Sequence, residues 1–263
     1  MTATANNVDM TQEASALTFA GTSTVNGTLT VLADGVTDSG TANVTVAGTA
    51  DVDGGASAIS LDDGHDSQSG LTLNTSSSAT INDTSDVQFA GASSVTGALT
   101  VTASGAITNA NNASLSAGAT TLSAGSNAIT LGTQTTDTVT FTSLGLTGGT
   151  VTIEADGATT LRDVSVGSLS LTSAGNITDT TSATISTTGN ASLAVTNTGI
   201  QDITLGDNGT DNLTLGSVTV AANDVALTED DATTFAGTNT VSGAAHGDQR
   251  RDDRRIRRRP ALR

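Results

Sequence analysis

The chain repeats itself, and the repeat limits its possible folds more than any other feature of the sequence. The segment FAGTSTVNGTLTV begins at Phe19 and recurs as FAGASSVTGALTV from Phe89, with nine of thirteen positions identical. An eroded copy, LRDVSVGSLSL, begins at Leu161, and the opening of a fourth, FAGTNTVSG, begins at Phe235. Successive starting positions lie seventy, seventy-two and seventy-four positions apart. A fixed long period is typical of repeat architectures in which each unit stacks on its neighbour.

The period predicts a division of the chain into modules. The predicted segments are a lead-in at 1–16, three modules at 17–86, 87–158 and 159–232, the start of a fourth at 233–243, and a tail at 244–263. The tail holds eight of the nine Arg residues and the only Pro, and the expected Leu-Thr-Val does not follow Ala245. We therefore expect the tail to be disordered. We favour an out-of-frame continuation of the repeat, and the alternative is a genuine basic tail that could bind nucleic acid or an anionic surface.

Short strands alternate with tight turns along all three modules. Segments such as LTV at 99–101, ITL at 129–131 and VTF at 139–141 alternate apolar residues with Thr, which is the pattern of a half-buried strand. Clusters such as ASG at 103–105 and DNG at 207–209 separate them, and these residues favour turns. No window shows a sustained helical period. The pattern predicts an all-β chain.

A shorter step runs through apolar positions inside the modules. Leucines recur at a step that alternates between twenty-three and twenty-four positions, at Leu99, Leu122, Leu146, Leu169 and Leu193. Short strands at this step predict a parallel β-helix with rungs of about 23–24 residues, in which these leucines point inward. A string of small β-sandwiches is the alternative. Aromatic residues are only 2% of the chain, which leaves little to fill a sandwich core.

Few residues in the chain are suited to catalysis. It has no Cys, Lys or Tyr, and its two histidines, His65 and His246, do not recur in the modules. Asp62, Asp63 and Asp66 form a tight carboxylate cluster in LDDGHD, which we interpret as a polar turn between two strands. A carbohydrate-active β-helix enzyme would need paired acids and usually aromatic platforms for sugar rings. We expect no enzymatic activity and assign no catalytic residue.

One segment resembles a calcium-binding motif. The stretch GDNGTDNLT, residues 206–214, differs at one position from the nonapeptide of calcium-binding β-rolls. Asp207 and Asp211 are therefore the candidate metal ligands. Such rolls share each ion between consecutive copies of the motif, and here there is one copy. We expect no cofactor and at most millimolar affinity for calcium, while a calcium-binding β-roll-like extracellular module remains the alternative function.

The charge of the chain is strongly uneven. Without the tail, which also contains Asp248, Asp252 and Asp253, 23 of the 26 acidic residues remain against Arg162 alone, a net charge of −22. Such a body repels nucleic acid and anionic membranes. No run approaches the ~18 apolar residues of a membrane-spanning helix. The amino terminus has no basic region followed by an apolar one, so no signal peptide is visible. We expect neither nucleic-acid binding nor membrane insertion by this segment.

The repeats resemble those of a known group of proteins. The phrases LTVTASGAITN, LSLTSAGNITD and FAGTSTVNG are similar to repeats of filamentous-haemagglutinin-type and autotransporter-type bacterial adhesins. The resemblance covers roughly Leu17 to Gly243. It implies a right-handed parallel β-helix, export to the cell surface, and an adhesive or stalk function within a larger protein, of which this chain would be a fragment. The sequence does not identify the surface ligand.

Overall fold

The computed structural model describes residues 2–12, 14–67 and 70–249. The described residues form 26 strands in one continuous sheet, and every pairing between these strands is parallel. The sheet winds into a solenoid of about eleven turns. The prediction of an all-β parallel solenoid is confirmed, and β-sandwiches are excluded because their sheets are antiparallel. No helix long and apolar enough to cross a membrane occurs in these residues.

Strand lengths range from short segments to runs that pass around more than one corner. In the first half of the chain the strands are β1 (Thr4–Ala5), β2 (Val8–Gln12), β3 (Leu17–Phe19), β4 (Thr22–Val25), β5 (Leu29–Ala33), β6 (Val36–Asp38), β7 (Asn43–Val46), β8 (Ala50–Gly55), β9 (Ile59–Ser67), β10 (Leu71–Thr75), β11 (Ala79–Asp83), β12 (Val87–Phe89), β13 (Ala92–Val95), β14 (Leu99–Ala103) and β15 (Ile107–Asn109). In the second half they are β16 (Ser114–Ser123), β17 (Ile129–Leu131), β18 (Thr138–Ala155), β19 (Thr159–Ser173), β20 (Ile177–Asp179), β21 (Thr184–Val195), β22 (Ile203–Leu205), β23 (Asn212–Ala222), β24 (Val225–Glu229), β25 (Thr240–Val241) and β26 (Ala245–Gln249).

Each turn of the solenoid contributes to three faces. Face A begins with β2, β5, β8 and β10, which stack in that order. Face B begins with β3, β6, the first part of β9, and β11. Face C begins with β1, β4, β7 and the second part of β9. The chain passes from A to B to C in every turn, so the rod has three edges where faces meet.

The length of a turn varies along the rod, being eighteen positions between Leu146 and Val164 and twenty-eight between Ile185 and Leu213, and the first turns are shorter than the step that the leucines suggest. Along face A, the stacked residues Val8, Leu29, Ala50 and Leu71 follow one another every twenty-one positions. Leu122 does stack on Leu146, as predicted, but Leu99 stacks on Thr120. All five leucines are buried as predicted, although the last two belong to a different face from the first three. The leucine step therefore connects buried positions, but only some of these positions stack directly on one another.

The module is not a whole number of turns. Three turns of twenty-one positions fall seven positions short of a module of seventy, and this remainder is one third of a turn and thus one face. Accordingly Leu29 lies on face A, its copy Leu99 on face B, and its copy Leu169 on face C. The start of the fourth module returns to face A, where Ala245 occupies the position of Leu29. Each module is therefore rotated by one face relative to the preceding module.

A glycine contact at the edges of the rod follows the same rotation. A side chain at Gly48 would collide with the backbone carbonyl of Gly27, and one at Gly118 with that of Gly97. The first contact lies between faces C and A, and the second between A and B. At these corners the backbones of successive turns approach too closely for any side chain, so glycine is required.

The core is a narrow column of aliphatic side chains. Alternate residues of the strands point inward and are almost completely buried, as in the pattern of β5, and most of them are Val, Leu, Ile or Ala. Phe19 and Phe89 are the largest buried side chains, and they open successive modules. Phe235, the copy that opens the fourth module, is 56% exposed. The low aromatic content is thus compatible with a stable core, because each turn encloses little volume.

The solenoid extends beyond both ends that the sequence predicts. In the lead-in, β1 and β2 pair with β4 and β5, so residues 4–12 already belong to the rod. In the tail, β26 pairs with β24 over Ala245–Gln249, because these residues continue the phase of the fourth module. The boundary at residue 243 is corrected accordingly. The Arg-rich remainder of the predicted tail, 250–263, lies outside the described residues.

The stacked core predicts a strong effect of shortening one inward side chain. Leu122 is fully buried and stacks between Val101 and Leu146. We expect Leu122→Ala to lower the free energy of unfolding by about 2–5 kcal/mol, because a cavity remains in a column that cannot collapse. Urea unfolding followed by circular dichroism measures this. The matched control is Ile200→Ala, whose side chain is 70% exposed and should cost less than about 0.5 kcal/mol. Equal losses for the two variants would contradict the assignment of the core.

Candidate functional site

Three equivalent polar side chains occur at the three edges of the rod. The aligned segments GALTVTASGAITN and GSLSLTSAGNITD end with Asn109 and Asp179 at the same position of the repeat, and Asp38 ends the corresponding segment of the first module. Each of the three residues closes a three-residue strand, β6, β15 or β20. Because modules rotate by one face, the three side chains lie at different edges.

Each of these side chains holds the next turn in place. Asp179 Oδ2 accepts the N–H of Gly206 at 2.8 Å, and Asn109 Oδ1 accepts the N–H of Gly132 at 2.9 Å. Asp38 accepts the N–H of Asp62 at 3.2 Å and that of Asp63 at 3.0 Å. In all three cases the accepted N–H groups come directly after an Ile-Thr-Leu or Ile-Ser-Leu segment of the next turn. We call these arrangements the first, second and third edge clamps, at Asp38, Asn109 and Asp179 respectively.

The third edge clamp contains both candidate metal ligands predicted from the sequence. Carboxylate oxygens of Asp179, Asp207 and Asp211 lie within 4.8 Å of one another. Asp211 is only 4% exposed and accepts the N–H groups of Ser182 at 2.6 Å and Asn208 at 2.8 Å. The sequence analysis missed Asp179. Its position after the copied Ile-Thr dipeptide was the signal that would have identified it.

The second edge clamp has an amide where the third has a carboxyl group. Asn109 Nδ2 donates to Asp137 Oδ2 at 2.7 Å, and Asp137, like its copy Asp211, is almost completely buried. In the third clamp Asp179 replaces Asn109 and has no N–H to donate. Two carboxyl groups therefore meet where the second clamp has an amide–carboxylate hydrogen bond. Either a proton or a cation would relieve the repulsion between them.

The repulsion changes the acidity of the third edge clamp. Burial, followed by the charges of Asp211 and Asp207, raises the pKa of Asp179 to about 6, although the N–H of Gly206 acts in the opposite direction. At the first edge clamp burial also raises the pKa of Asp38, and the charge of Asp62 adds to this. The N–H groups of Asp63 and Asp62 again oppose the shift. Asp179 is thus protonated in part under mildly acidic conditions.

The predicted turn at LDDGHD is wrong, because these residues lie within β9. Asp38 binds the backbone of Asp62 and Asp63, and this holds the segment extended against the preceding turn. Carboxylate oxygens of all three residues lie within 4.8 Å of one another. His65 is buried and stands in register with Val44 and Asp83. The side chain of Asp66 lies outside the described residues, and His246 is exposed on β26.

The carboxylates of the third edge clamp are already occupied by donors from the protein. Asp211 accepts three backbone N–H groups, from Ser182, Ala183 and Asn208, and Asp179 accepts one. Asp207 accepts the side-chain amide of Asn208 at 2.8 Å. Calcium requires six to eight oxygen ligands, so this cluster would have to exchange its internal hydrogen bonds for the ion.

Calcium titration tests the metal-binding capacity of this clamp. We expect isothermal calorimetry to show at most millimolar affinity, because the clamp brings together three carboxylates and calcium takes six to eight oxygen ligands. Asp207→Ala is the cleaner variant, since Asp207 is exposed and accepts from a side-chain amide, whereas Asp211 holds the backbone of the loop. A micromolar site that Asp207→Ala or Asp211→Ala abolishes would contradict this prediction.

The amide of the second edge clamp suggests a substitution in the third clamp whose effect on stability should depend on pH. The raised pKa of Asp179 means that the folded state binds this proton more tightly than the unfolded state does. Its contribution to stability is present below about pH 4 and is lost as the pH rises to about 6. We expect Asp179→Asn to raise the free energy of unfolding by about 1 kcal/mol at neutral pH, after allowance for solvent screening of this half-buried group. Thermal unfolding at several pH values measures the effect.

The reciprocal substitution is the control for this prediction. Asn109→Asp places a second carboxyl group beside Asp137 and removes the 2.7 Å hydrogen bond. We expect it to destabilise the rod at neutral pH and to have a smaller effect near pH 4. If the effect of Asp179→Asn on stability and that of Asn109→Asp are each the same at every pH, the two carboxyl groups of the third clamp do not interact as described.

Comparison with known proteins supports the division into three repeats. Residues 5–74, 76–145 and 148–211 each match the family described as "Repeats of unknown function (DUF5649)". The matches cover most of the chain, and they begin at intervals close to the period of the modules. No curated protein and no solved structure matches the chain. With three matched copies at the period of its modules, this β-solenoid belongs to the family of repeats of unknown function DUF5649.

Proposed function

We propose that the chain is a structural stalk segment of a large bacterial cell-surface or secreted repeat protein. The observation that carries this proposal is the rotation of each module by one face. A module of three and one third turns joins the next within one continuous parallel sheet, and the fourth module begins in the phase of the first. Modules of this kind can be added in any number, which suits a spacer whose length is set by repeat count.

The surface of the rod suits such a role. Outward positions of the strands are mostly Thr, Ser, Asn and Asp, and the net charge is strongly negative, which keeps a long β-sheet rod soluble. The resemblance to filamentous-haemagglutinin-type and autotransporter-type repeats supports export to the cell surface and an adhesive role. The ligand of such adhesion would be a molecule of a host, cell or matrix surface.

A stalk requires no catalytic group and no cofactor, and we assign neither. The alternative of a calcium-binding extracellular module is favoured by the carboxylate groups of the first and third edge clamps. The edge clamps satisfy backbone N–H groups between turns, which is the task of structural side chains in a solenoid. We therefore place them in the architecture of the stalk.

Removal of one complete module tests the proposed stalk. We expect deletion of residues 87–158 to leave a folded rod shortened by about 16 Å, because a module contributes three and one third turns at ~4.8 Å per turn. The join brings Thr159 to the position of Val87 in the repeat, so the ladder continues in phase. Small-angle X-ray scattering gives the length, and circular dichroism gives the strand content.

Removal of half a module is the matched control. Deletion of residues 87–121 takes away one and two thirds turns, so the following strands arrive on the wrong face. We expect this variant to unfold at markedly lower temperature than the full-module deletion. If both deletions are equally stable, or if the full-module deletion does not fold, the modules are not interchangeable units of a stalk.

A further inference from the structure

One corner of the third module departs from the other copies of the repeat. The first, second and fourth copies begin Phe-Ala-Gly, and their glycines all have positive φ, at Gly21 (65°), Gly91 (62°) and Gly237 (62°). The third copy reads Leu161-Arg162-Asp163, and β19 runs through this position without a break. The change introduces a cation at a position where the other copies have alanine. Arg162 is the one Arg or Lys within the described residues.

The guanidinium of Arg162 extends past the neighbouring turn and contacts the turn beyond it. Its Nη2 donates to the carbonyl oxygen of Thr120 at 3.0 Å and to Oγ1 of Thr121 at 2.6 Å. It passes Gly145, where an added side chain would lie 3.6 Å from Nη2. Both hydrogen bonds come from Nη2, and Nε is buried without a partner among the described residues. No carboxylate accepts from this guanidinium in the described hydrogen bonds, so its charge is not neutralised by direct pairing.

Arg162 lines a polar groove on the surface of the rod. A cavity of about 320 Å³ is bordered by Arg162, Asp163 and Gly145 together with the hydroxyl groups of Thr121, Thr147, Thr180, Thr181 and Ser182. A second cavity of about 350 Å³ shares Leu146, Thr147 and Asp163 with the first and continues past Val164, Ser165, Thr184 and Ser186. The two cavities form one groove across neighbouring turns, and we call it the Arg162 groove. Each is within the lower range of small-molecule sites.

We propose that the Arg162 groove binds an acidic saccharide, with the sugar carboxylate at the guanidinium and the sugar hydroxyls along the Thr and Ser side chains. A guanidinium that lacks an acidic partner favours an oxyanion. Because Nη2 is already engaged and Nε is buried, Nη1 is the group left to donate to the sugar carboxylate. Hydroxyl groups donate and accept, so they pair with a polyol. This inference rests on the proposed adhesive function, to which it adds the class of ligand.

The surroundings of the groove exclude other anions. Asp163 stands beside Arg162, and the body of the chain is strongly acidic, so a phosphate or a polyanion with two or more charges would meet net repulsion. In the first cavity Leu146 is the one apolar side chain among Thr and Ser residues, so it offers a fatty or aromatic acid little apolar surface. A saccharide with a single carboxylate meets the limit on charge. With a single charged contact, the expected dissociation constant for one sugar unit is in the millimolar range.

Nuclear magnetic resonance of the ¹⁵N-labelled full chain tests this proposal with sodium glucuronate as the probe. Glucose is the neutral sugar and sodium acetate the carboxylate without a sugar, all in about 0.15 M NaCl, which screens the distant acidic residues. We expect glucuronate to shift the Nε–Hε signal of Arg162 and the amides of Thr147 and Thr181. Glucose and acetate should bind about tenfold more weakly, because each supplies only part of the interaction.

Variants separate the guanidinium from the rest of the groove. Arg162→Gln should weaken glucuronate binding by about tenfold or more, since a charge-assisted hydrogen bond is lost. Asp163→Asn should strengthen it, because a neighbouring negative charge is removed. If Arg162→Gln does not fold, Arg162→Lys replaces it as the test variant. The chemical-shift changes in the unmodified chain then show whether glucuronate binds at the groove. A shift pattern outside the groove, no shift at tens of millimolar glucuronate, or equal binding of acetate overturns the proposal.

The groove and the stalk can fail separately. Loss of glucuronate binding, together with a folded rod after deletion of residues 87–158, would remove the saccharide site and leave the stalk in place. A full-module deletion that does not fold would contradict the stalk, whatever the groove binds.

Discussion

The parallel, in-register ladder between turns is the constraint on which the rest of this structure depends. Most residues of a strand lie directly against a residue of the next turn, at the ~4.8 Å spacing of paired strands, although the register shifts at some points, as between Leu161 and Val164. Inward positions must therefore accept an aliphatic neighbour above and below, as Leu122 does between Val101 and Leu146. Corners must let two backbones approach, as at Gly27 and Gly48. The sequence can therefore vary freely only where side chains point away from the core, which is at the outward positions of the strands and at the edges of the rod.

This constraint explains why the fold class was predictable from the sequence and the length of a turn was not. The alternation of apolar residues with Thr indicates which side chains point inward, and this pattern is the same on all three faces. It carries no information about which face a strand occupies. The leucine ladder from Leu99 to Leu193 thus found buried positions correctly but joined residues of two faces. The additional third of a turn per module becomes visible only when pairings such as Leu99 with Thr120 are known.

The candidate site was predictable in part for the same reason. Asp207 and Asp211 lie close together in the chain, and a motif comparison was enough to select them. Asp179 precedes them by more than one turn and meets them only through stacking, so no local pattern connects the three. The aligned copies nevertheless differ at this position, with Asn109 in one module and Asp179 in the next. In a repeat protein such a difference is informative, because the backbone around both residues is the same and only the chemistry has changed.

The same reasoning directs attention to differences between modules rather than to features they share. Shared features, such as the corner glycines and the buried apolar side chain at Phe19, Phe89 and Leu161, serve the packing of the turns in each module. The change from Asn109 to Asp179 exchanges a hydrogen bond for a carboxyl pair whose charge depends on pH. The change from alanine to Arg162 places one cation on an acidic rod and requires the space above Gly145. Neither change is required by the pairing of the strands, since the other copies pair without it. Module-specific side chains of this kind are where binding to other molecules can arise on a scaffold that otherwise repeats.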